Sequence, residues 1–487
     1  RNLGSRCPRY PLSNQLRSKH PFAMASMLLP KILALTLAPV AFSLTRQGKV
    51  GDLSRAQKDV DYFWPEGHGK PGQYGSSLFT GPKDLKASFS WSWHHPNGRF
   101  ATLPYGTAID DKKNIYLTTD TSAWKLSPEG EALWSFTPSP RATLFSAGSL
   151  LNGRMHFTTL DGRFWAIDMD TGKKVWSTKV CSEINHDNGF VSAHEGVVLA
   201  ASNASYLNPR NGNGLVQAVN ATDGSPMWSY KPPVPVWNFM ASFPGDGTVL
   251  YQDWEGRAYR HNLRSGELIW KAGGQGGSWT DGTPLLGPNG IFYTVQAFME
   301  RPPEQSAGFI EAHRLDDGTL LWQAEVPMPP NNAPALGRLA GHSSLSLVQP
   351  GGYQGTQGGP TGIWAYDAQT GAKQWSFIGP SQKKPDQAAN KEGIFQRVLN
   401  GATTGYVTNP WSAAIIDSQG TVYAGHEDGL FFAINDKNGD GVVHGADEVS
   451  TFDTGAAFVG SSSPAIAPGM LAVASCDTLF VFKTADA

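Results

Sequence analysis

The residues with the clearest metal chemistry lie near the C-terminus, in the stretch 436–447. Ca²⁺ binds about six to eight oxygen atoms, and acidic or amide side chains at alternate positions of a short loop can supply them. Gly441 would allow the sharp turn that such a loop needs, and Asp447 stands where a glutamate is usual, with Glu448 directly after it. A polar turn without metal is the alternative. The predicted ligands are Asp436, Asn438, Asp440, the carbonyl of Val442, His444 through a water, and Asp447.

A second group mixes amides, acids and tryptophans at intervals along the chain. Aromatic faces beside amide and carboxylate groups suit a polar organic ligand, a glycan or an extended peptide. Each member precedes a short apolar segment, so we expect the group to meet only if those segments surround a common axis. The alternative is ordinary turn residues beside locally packed tryptophans. The predicted members are Asn185, His186, Asp187, Trp237, Asn238, Trp279, Asp281, Asn331, Asn332, Asn409 and Trp411.

An internal repeat predicts the elements that must position these residues. The pattern G-x-x-x-W occurs six times, and its tryptophans are 42, 52, 42, 52 and 53 residues apart. This spacing is that of a four-stranded propeller blade with its loops. We expect the tryptophans to pack between blades rather than to form a cofactor site. They are Trp134, Trp176, Trp228, Trp270, Trp322 and Trp375.

Each repeat unit has the pattern of four short strands joined by tight turns. In the second unit the predicted strands span 146–150, 154–158, 164–168 and 174–177. The turns between them contain Asp-Gly and Thr-Gly pairs, in which glycine supplies a positive φ. One such unit cannot bury both of its faces, so we expect the units to stack around a ring.

The motif Ala166-x-Asp168-x-x-Thr171-Gly172-x-x-x-Trp176 resembles the repeat of the PQQ-like, or quinoprotein alcohol dehydrogenase-like, β-propeller family. The unit that ends at Trp375 matches it in the same positions, and the unit that ends at Trp228 comes close. The three remaining units keep mainly the glycine and the tryptophan. The resemblance covers residues 87–484 and implies an all-β propeller of four-stranded antiparallel blades.

We predict eight blades, with seven as the alternative if the stretch 379–410 is arranged differently. Six units end at the repeated tryptophans, and a seventh spans 411–455. The eighth has only three strands, so we expect residues 87–93 near the N-terminus to supply the fourth and close the ring. The loop 436–447, which resembles an EF-hand or dockerin loop, falls between the third and fourth strands of the seventh unit.

The N-terminal region has the features of a secretory signal peptide. Lys31 precedes an apolar run over 32–44, which is shorter than a membrane-spanning helix, and Ala41 and Ser43 fit a cleavage site after Ser43. We therefore predict an upstream segment and signal peptide over 1–43 and an extension over 44–86, with no transmembrane segment. Residues 1–23, before the first methionine, would be upstream sequence. An organellar transit peptide is the alternative.

Composition and cysteine content limit the possible partners. The chain has 487 residues with a formal net charge of −2, which excludes a basic surface for nucleic acid. Cys181 and Cys476 are too few for a disulfide framework, and they can form one bridge or stay separate thiols. Sequons at Asn203 and Asn220 fit a secreted glycoprotein.

These features predict a noncatalytic propeller of the secretory pathway, extracellular or in the cell envelope. Its partner would be a protein, peptide or glycan at the channel mouth, and its calcium would be structural. The alternative is a PQQ-dependent oxidoreductase for alcohols or sugars, which the resemblance implies would hold PQQ and Ca²⁺ in the channel. The chain lacks the adjacent cysteine pair of many such enzymes. It also lacks the lipid-attachment cysteine of the PQQ-like envelope scaffolds that it resembles.

Overall fold

The computed structural model describes residues 59–484 except 73, 99–100, 102, 104, 145, 186–189, 205–211, 279, 299–307, 353–360, 382–398, 400–408, 459 and 461. The described residues form 31 β-strands and one four-residue helix, α1 (Leu85–Ser88). The strands make eight antiparallel sheets that follow one another along the chain. The predicted eight-bladed all-β propeller is therefore confirmed.

The blades are numbered from the first complete one, and the strands of each run outward from the channel. Blades 1 to 4 contain β2 (Ala108–Ile109), β3 (Ile115–Thr118), β4 (Ala123–Leu126) and β5 (Ala132–Phe136); β6 (Ser149–Leu151), β7 (Arg154–Thr159), β8 (Arg163–Asp168) and β9 (Lys174–Lys179); β10 (Ser192–His194), β11 (Val197–Ala204), β12 (Asn213–Asn220) and β13 (Pro226–Tyr230); and β14 (Thr248–Gln252), β15 (Arg257–Asn262) and β16 (Leu268–Gly273).

Blades 5 to 8 contain β17 (Leu285–Leu286), β18 (Ile291–Ala297), β19 (Gly308–Arg314) and β20 (Leu320–Val326); β21 (Ala335–Gly337), β22 (Ser346–Gly351), β23 (Gly362–Asp367) and β24 (Lys373–Ile378); β25 (Ile415–Ile416), β26 (Val422–Gly425), β27 (Leu430–Ile434) and β28 (Val449–Asp453); and β29 (Ala465–Ala467), β30 (Met470–Ala474) and β31 (Leu479–Lys483), with β1 (Phe89–Trp93) outermost. In blade 4 the innermost strand is reduced to one bridge, Ser242 to Leu250.

The N-terminal strand closes the ring as predicted. β1 pairs antiparallel with β31, with Trp91 opposite Val481 and Trp93 opposite Leu479. The strand begins at Phe89, not at Ala87, because α1 occupies the preceding residues and Asp84 caps it by accepting the Ala87 N–H. The last blade thus joins the two ends of the described chain and leaves no unpaired edge on its third strand.

The repeated tryptophans pack between blades, as predicted, and all but Trp375 contact the turn glycine of the following unit. A Cβ on Gly172, whose φ is +68°, would lie 2.7 Å from the Trp134 ring, so only glycine fits. The indole N–H of Trp134 donates to the Met169 carbonyl at 2.9 Å. The same pair of contacts recurs from Trp91, Trp176, Trp228, Trp270 and Trp322 to the next blade.

The 436–447 loop takes the place of this glycine–tryptophan contact between blades 6 and 7. It lies between β27 and β28, where the sequence predicts it. Its Val442 pairs in parallel with Ser376 of β24, through hydrogen bonds of 3.1 Å from Ser376 N to Gly441 O and 3.0 Å from Val443 N to Ser376 O. The loop therefore adds a short strand to the outer edge of blade 6 and joins the two blades.

Residues 59–84, which we call the strap, are part of the ring rather than an extension outside it. The strap runs around the inner edge of the innermost strands and contacts blades 1 to 7 in turn, and an innermost strand of each of these blades donates a backbone N–H to it. It then leads through α1 into β1. The seven bonds run from Ile109 N to Trp64 O, Leu150 N to Pro65 O, Ala193 N to Glu66 Oε1, Phe243 N to Pro71 O, Leu286 N to Gly72 O, Leu336 N to Tyr74 O and Ile416 N to Gly75 O.

The hydrophobic core consists mainly of clusters between neighbouring blades, with one further cluster at the centre of the ring. The central cluster includes Ala147, Phe190, Met240 and Cys476, each from a different blade. Cys181 lies elsewhere, and the two thiols are not joined in a disulfide. None of the helices in the described part of the chain is long and apolar enough to cross a membrane.

Candidate functional site

The predicted ligand-binding residues precede the innermost strands, and these connections lie at one end of the central channel, here called the mouth. Asn238 precedes blade 4, Asp281 precedes β17, Asn331 and Asn332 precede β21, and Asn409 precedes β25. The turns between first and second strands, and between third and fourth strands, lie at the other end. The 436–447 loop and the mouth therefore occupy opposite faces of the ring.

Five of the predicted mouth residues form one hydrogen-bond network across blades 4 to 7. The Asn331 amide joins two neighbouring loops, because its Nδ2 donates to Asp281 Oδ2 at 3.0 Å and to Asn409 Oδ1 at 3.1 Å. Asn331 Oδ1 accepts the Asp281 N–H at 2.8 Å. Asn238 Nδ2 donates to the Asp281 carbonyl, and Asn409 Nδ2 lies 3.4 Å from Asn332 Oδ1. Side chains far apart in sequence thus converge on one side of the mouth.

The predicted tryptophans have different environments. Trp237 is half-buried and packs edge-to-face against Trp254, with ring centroids 5.1 Å apart. The preceding segment is tightly packed, since a Cβ on Gly212 would lie 2.6 Å from the Trp237 indole nitrogen. Trp411 is fully buried between blades 6 and 7 and packs against Phe377, so its predicted place among the ligand-binding residues is wrong. It follows Asn409 by two positions, but it packs into the core.

The remaining predicted members lie apart from this network or outside the described residues. Asn185 is buried, and its N–H donates to Asn213 Oδ1 at 2.9 Å in blade 3. His186, Asp187 and Trp279 lie outside the described residues. The network is therefore confined, among the residues that are described, to the blade 4 to blade 7 side of the mouth.

Below the mouth the channel is filled by the strap. A Cβ on Gly67 would lie 2.2 Å from the Phe190 ring and 3.0 Å from Ala147. A Cβ on Gly106 would lie 2.9 Å from the Gly67 carbonyl, so both positions require glycine. His68 is fully buried and spans the channel from Ser463 to Pro334. At this level the centre of the ring is packed with the chain's own residues.

The network does not match the ligand set that a quinone with its calcium ion requires. Asp281 Oδ2, Asn331 Oδ1 and Asn409 Oδ1 each accept an N–H group of the network itself. Hard cations need several oxygens directed at one point. Within the described ranges no group of three or more His, Cys, Asp or Glu side chains is arranged to hold a metal ion. Among the described residues, the network is therefore not arranged as a PQQ–calcium centre.

The 436–447 loop is held by its own side chains. Asp436 accepts the N–H groups of Gly439 at 2.9 Å and Gly441 at 3.2 Å through its two oxygens. Asn438 and Asp440 accept the N–H groups of Asp440 and Val442, both at 2.8 Å. The Val442 carbonyl, a predicted ligand, accepts from His444 Nδ1 at 2.8 Å, which raises the His444 pKa. These residue types and the Gly441 turn, at φ +83°, fit a calcium loop.

Glu448, which the motif left outside the ligand set, holds the loop together. Its Oε1 accepts the N–H groups of Lys437 and Asn438 at 3.1 Å, and its Oε2 accepts that of His444 at 3.0 Å. These bonds, that to His444 first, lower the Glu448 pKa. The predicted ligand Asp447 instead lines a neighbouring cleft of about 440 Å³. The sequence signal that could have identified Glu448 is its position directly after the motif.

Comparison with known proteins supports the repeat assignment. Residues 119–278 match the family model described as outer membrane protein assembly factor BamB, a PQQ-repeat model. The chain is 27% identical over 144 residues to the dehydrogenase subunit of a quinone alcohol dehydrogenase from Gluconobacter oxydans, which covers 26% of this chain and 19% of that protein. It is 26% identical over 166 residues to BamB from Yersinia pestis, covering 33% and 38%. The matched part thus spans well under half of either relative.

The fold also matches solved structures. A europium-containing methanol dehydrogenase superposes with a TM-score of 0.59 at 13% identity, over 87% of this chain and 98% of that one. An identity this low supports the fold alone. The ring of eight blades and the matched segment agree: the chain is an eight-bladed β-propeller, and its residues 119–278 match a PQQ-repeat model.

Proposed function

We propose that this protein is a noncatalytic binding propeller that holds a protein, peptide or glycan at its channel mouth. The observation that carries the proposal is the network of Asn238, Asp281, Asn331, Asn332 and Asn409, which four successive loops build beside the half-buried Trp237. Amide and carboxylate groups beside an aromatic side chain suit polar organic ligands. A relative named as an assembly factor favours a protein or peptide ligand over a small substrate.

The test is binding by the purified chain 44–487 on a glycan array and a synthetic peptide array. We expect a defined ligand class to be retained by the wild type and lost in the double variant Trp237→Ala/Asp281→Ala. The matched control is Asp170→Ala/Asp316→Ala, which removes two exposed acids from the opposite face of the ring. Equal binding by all three proteins would rule out the mouth as the binding site.

The same proposal includes a structural Ca²⁺ in the 436–447 loop. Asp436, Asn438 and Asp440 supply oxygens, and a divalent ion would offset the repulsion between carboxylates that lie close in sequence. Because the loop pairs with β24, an ion bound there would stabilise the contact between blades 6 and 7. A site that binds only the native state adds about 2.7 kcal/mol at a hundredfold excess of ion over Kd.

Titration calorimetry and thermal unfolding with Ca²⁺ or chelator test this site. We expect binding heat and a raised melting temperature for the wild type and neither for Asp440→Ala. The variant Glu448→Gln separates the two roles of the loop, because Glu448 holds backbone N–H groups in the structure. It should lower stability even in chelator. If wild type and Asp440→Ala had the same melting temperature both with Ca²⁺ and with chelator, the 436–447 loop would be a polar turn that binds no metal.

The second candidate is a PQQ-dependent oxidoreductase, and the similarity to quinone alcohol dehydrogenases is what favours it. The discriminating experiment adds PQQ and Ca²⁺ to the purified chain and follows quinone absorbance and dye-linked oxidation of alcohols and sugars. The binding proposal expects neither retained quinone nor turnover. Stoichiometric retention of PQQ with turnover would replace the binding proposal.

Location in the secretory pathway, extracellular or in the cell envelope, is the last part of the proposal. It relies on the signal-like segment 24–43 and the sequons, of which Asn220 ends strand β12 on the face opposite the mouth. Sequencing of the N-terminus after expression in a secreting host should give a chain that starts after Ser43. Retention of an uncut N-terminus inside the cell would contradict it.

A further inference from the structure

His68 holds the strap at the centre of the ring, and none of its partners in the described part of the chain is ionic. Its Nε2 faces the Pro334 carbonyl at 2.9 Å, and a carbonyl only accepts, so Nε2 carries the proton. Nδ1 lies 2.9 Å from the Ser463 hydroxyl, which also lies 3.2 Å from the Pro464 carbonyl. The side chain is fully buried and bridges the segments that precede blades 6 and 8. Burial favours the neutral imidazole, in which Nε2 carries the proton and Nδ1 accepts from the Ser463 hydroxyl.

The groups that face His68 offer nothing to balance a positive charge. The segments 333–335 and 462–464, which carry its two partners, contain no charged residue. Within the strap, the Glu66 carboxylate accepts the Ala193 N–H of blade 3, and Lys70 pairs with Asp61 and the Tyr62 carbonyl. The segment 413–415, which approaches Gly75 beside the imidazole, is also uncharged. Burial accordingly lowers the pKa of His68 to about 4.

The stretch of strap around His68 has few other side-chain anchors. Residues 65–75 include four glycines and two prolines, and the stretch meets the blades chiefly through single backbone hydrogen bonds. Larger apolar anchors flank it, with Trp64 buried before it and Phe79 packed against the core after it. Segments with little buried apolar surface open at a lower free-energy cost than the sheets around them.

We propose that His68 makes the strap an acid-sensitive lock on the channel. At mildly acidic pH the stretch 65–75 leaves the channel while the blades remain folded. In the open state the imidazole is solvated and takes up a proton at its ordinary pKa near 6.5, so acid favours the open state. Opening exposes the inner-strand N–H groups that the strap covers and the side chains of Ala147 and Phe190, which Gly67 of the strap contacts. The inference does not depend on which ligand the mouth binds.

Hydrogen–deuterium exchange of the full chain at pH 7 and pH 5, corrected for intrinsic rates, tests the lock. The difference between a pKa of about 4 when closed and about 6.5 when open predicts an increase of about 20-fold in the opening of 65–75. Peptides from the blade sheets should change much less. His68→Gln keeps an N–H donor but does not titrate in this range, so its opening should be independent of pH.

His156→Gln is the matched control. His156 is also fully buried, and burial lowers its pKa to about 3, but it lies in β7 of blade 2 and packs on Trp176. Its loss should leave the acid opening of the strap unchanged. Equal acid sensitivity of 65–75 in wild type and His68→Gln, or exchange that rises only together with the blades, would overturn the proposal.

Nitrogen-15 NMR of histidine-labelled wild-type protein provides a test that needs no variant. We expect His68 to show the Nε2–H tautomer at pH 7 and to remain neutral as long as the strap is protected. A His68 imidazole that titrates near pH 6.5 in the closed protein, or that carries its proton on Nδ1, would also overturn the proposal.

Discussion

The two halves of the central channel are built in different ways. The strap half is close-packed and held by backbone hydrogen bonds, with glycines where a methyl group would not fit, as at Gly67 and Gly106. The mouth half is held by side-chain amides and one carboxylate that link neighbouring loops. Backbone packing of this kind tolerates little substitution and serves stability, whereas a side-chain network can change its residues without changing the ring. On the proposed function, stability and recognition are thus separated along one axis.

The largest expected effect comes from removing the strap together with the closing strand. Deletion of residues 44–94 would leave seven inner-strand N–H groups without their present partners and expose the edge of β31. At about 1 kcal/mol for each net hydrogen bond, the loss approaches the whole stability of a typical domain. We expect the melting temperature to fall by about 10 °C or more, or the cooperative transition to disappear. As a control, the mouth double variant Asn331→Ala/Asn409→Ala should still unfold cooperatively. If the deletion left the melting temperature unchanged, the strap half would not be the source of stability.

Acid should weaken the strap half through His68. A buried histidine with a lowered pKa leaves the unfolded chain with more bound protons below about pH 6.5, so stability falls as pH decreases from there to about 4. The difference of roughly 2.5 pKa units corresponds to about 3 kcal/mol in the free energy of unfolding. Denaturant titrations at pH 7 and pH 4.5 should show this fall in the wild type and a smaller one in His68→Gln. If the free energy of unfolding fell equally in both proteins, the His68 imidazole would not be the source of the pH dependence.

A single methyl group in the strap half should have a smaller but clear effect. Gly67→Ala places a Cβ 2.2 Å from the Phe190 ring, and overpacking of this kind costs about 1–3 kcal/mol. Gly276→Ala is the matched control, because its Cβ would meet no atom within 4 Å and its φ is not positive. Thermal unfolding should separate the two variants, and equal melting temperatures would mean that the centre of the channel is not close-packed.

The mouth half should give the smallest change in stability. Asn331→Ala removes four side-chain hydrogen bonds, two with Asp281 and one each with Asn409 and Thr280, which at the lower end of the usual range contribute about 2 kcal/mol net. We expect a melting temperature within a few degrees of the wild type, with ligand retention on the glycan and peptide arrays reduced at least tenfold. If Asn331→Ala lost stability but kept full ligand binding, the mouth half would serve stability rather than recognition, contrary to the comparison above.

The sequence predicts the repeated parts of this fold well. The G-x-x-x-W pattern works because one physical contact, tryptophan on glycine, recurs between neighbouring blades, and the unpaired edge of the last unit requires a strand such as β1. The predicted start at Ala87 is wrong because the Asp84 cap favours a helical turn first. The strap could not be predicted, since its glycines and prolines are also the composition of a linker, and only the ring supplies its hydrogen-bond partners.

The candidate site is predictable by residue type and less so by position. The amides of the mouth network were identified because each precedes an innermost strand, yet Trp411 satisfies the same rule and is core. Side chains two residues apart in an irregular loop need not share an environment, so spacing does not distinguish them. In the calcium-like loop the motif selects Asp447, whereas the hydrogen bonds involve Glu448. Such a choice depends on the backbone path, which the motif alone does not define.

The order in which the strap meets the blades bears on how the ring is made. Its contacts from Trp64 to Gly75 reach blades 1 to 7 in the order of synthesis, because the strap is translated before all of them. Each blade that leaves the ribosome therefore finds its binding position on a segment already present. The closing pair of β1 and β31 forms only after the C-terminal strands appear. The order of contacts would let the strap act as a template during assembly, and a chain without its C-terminal strands would lack the seam between its last blade and its first.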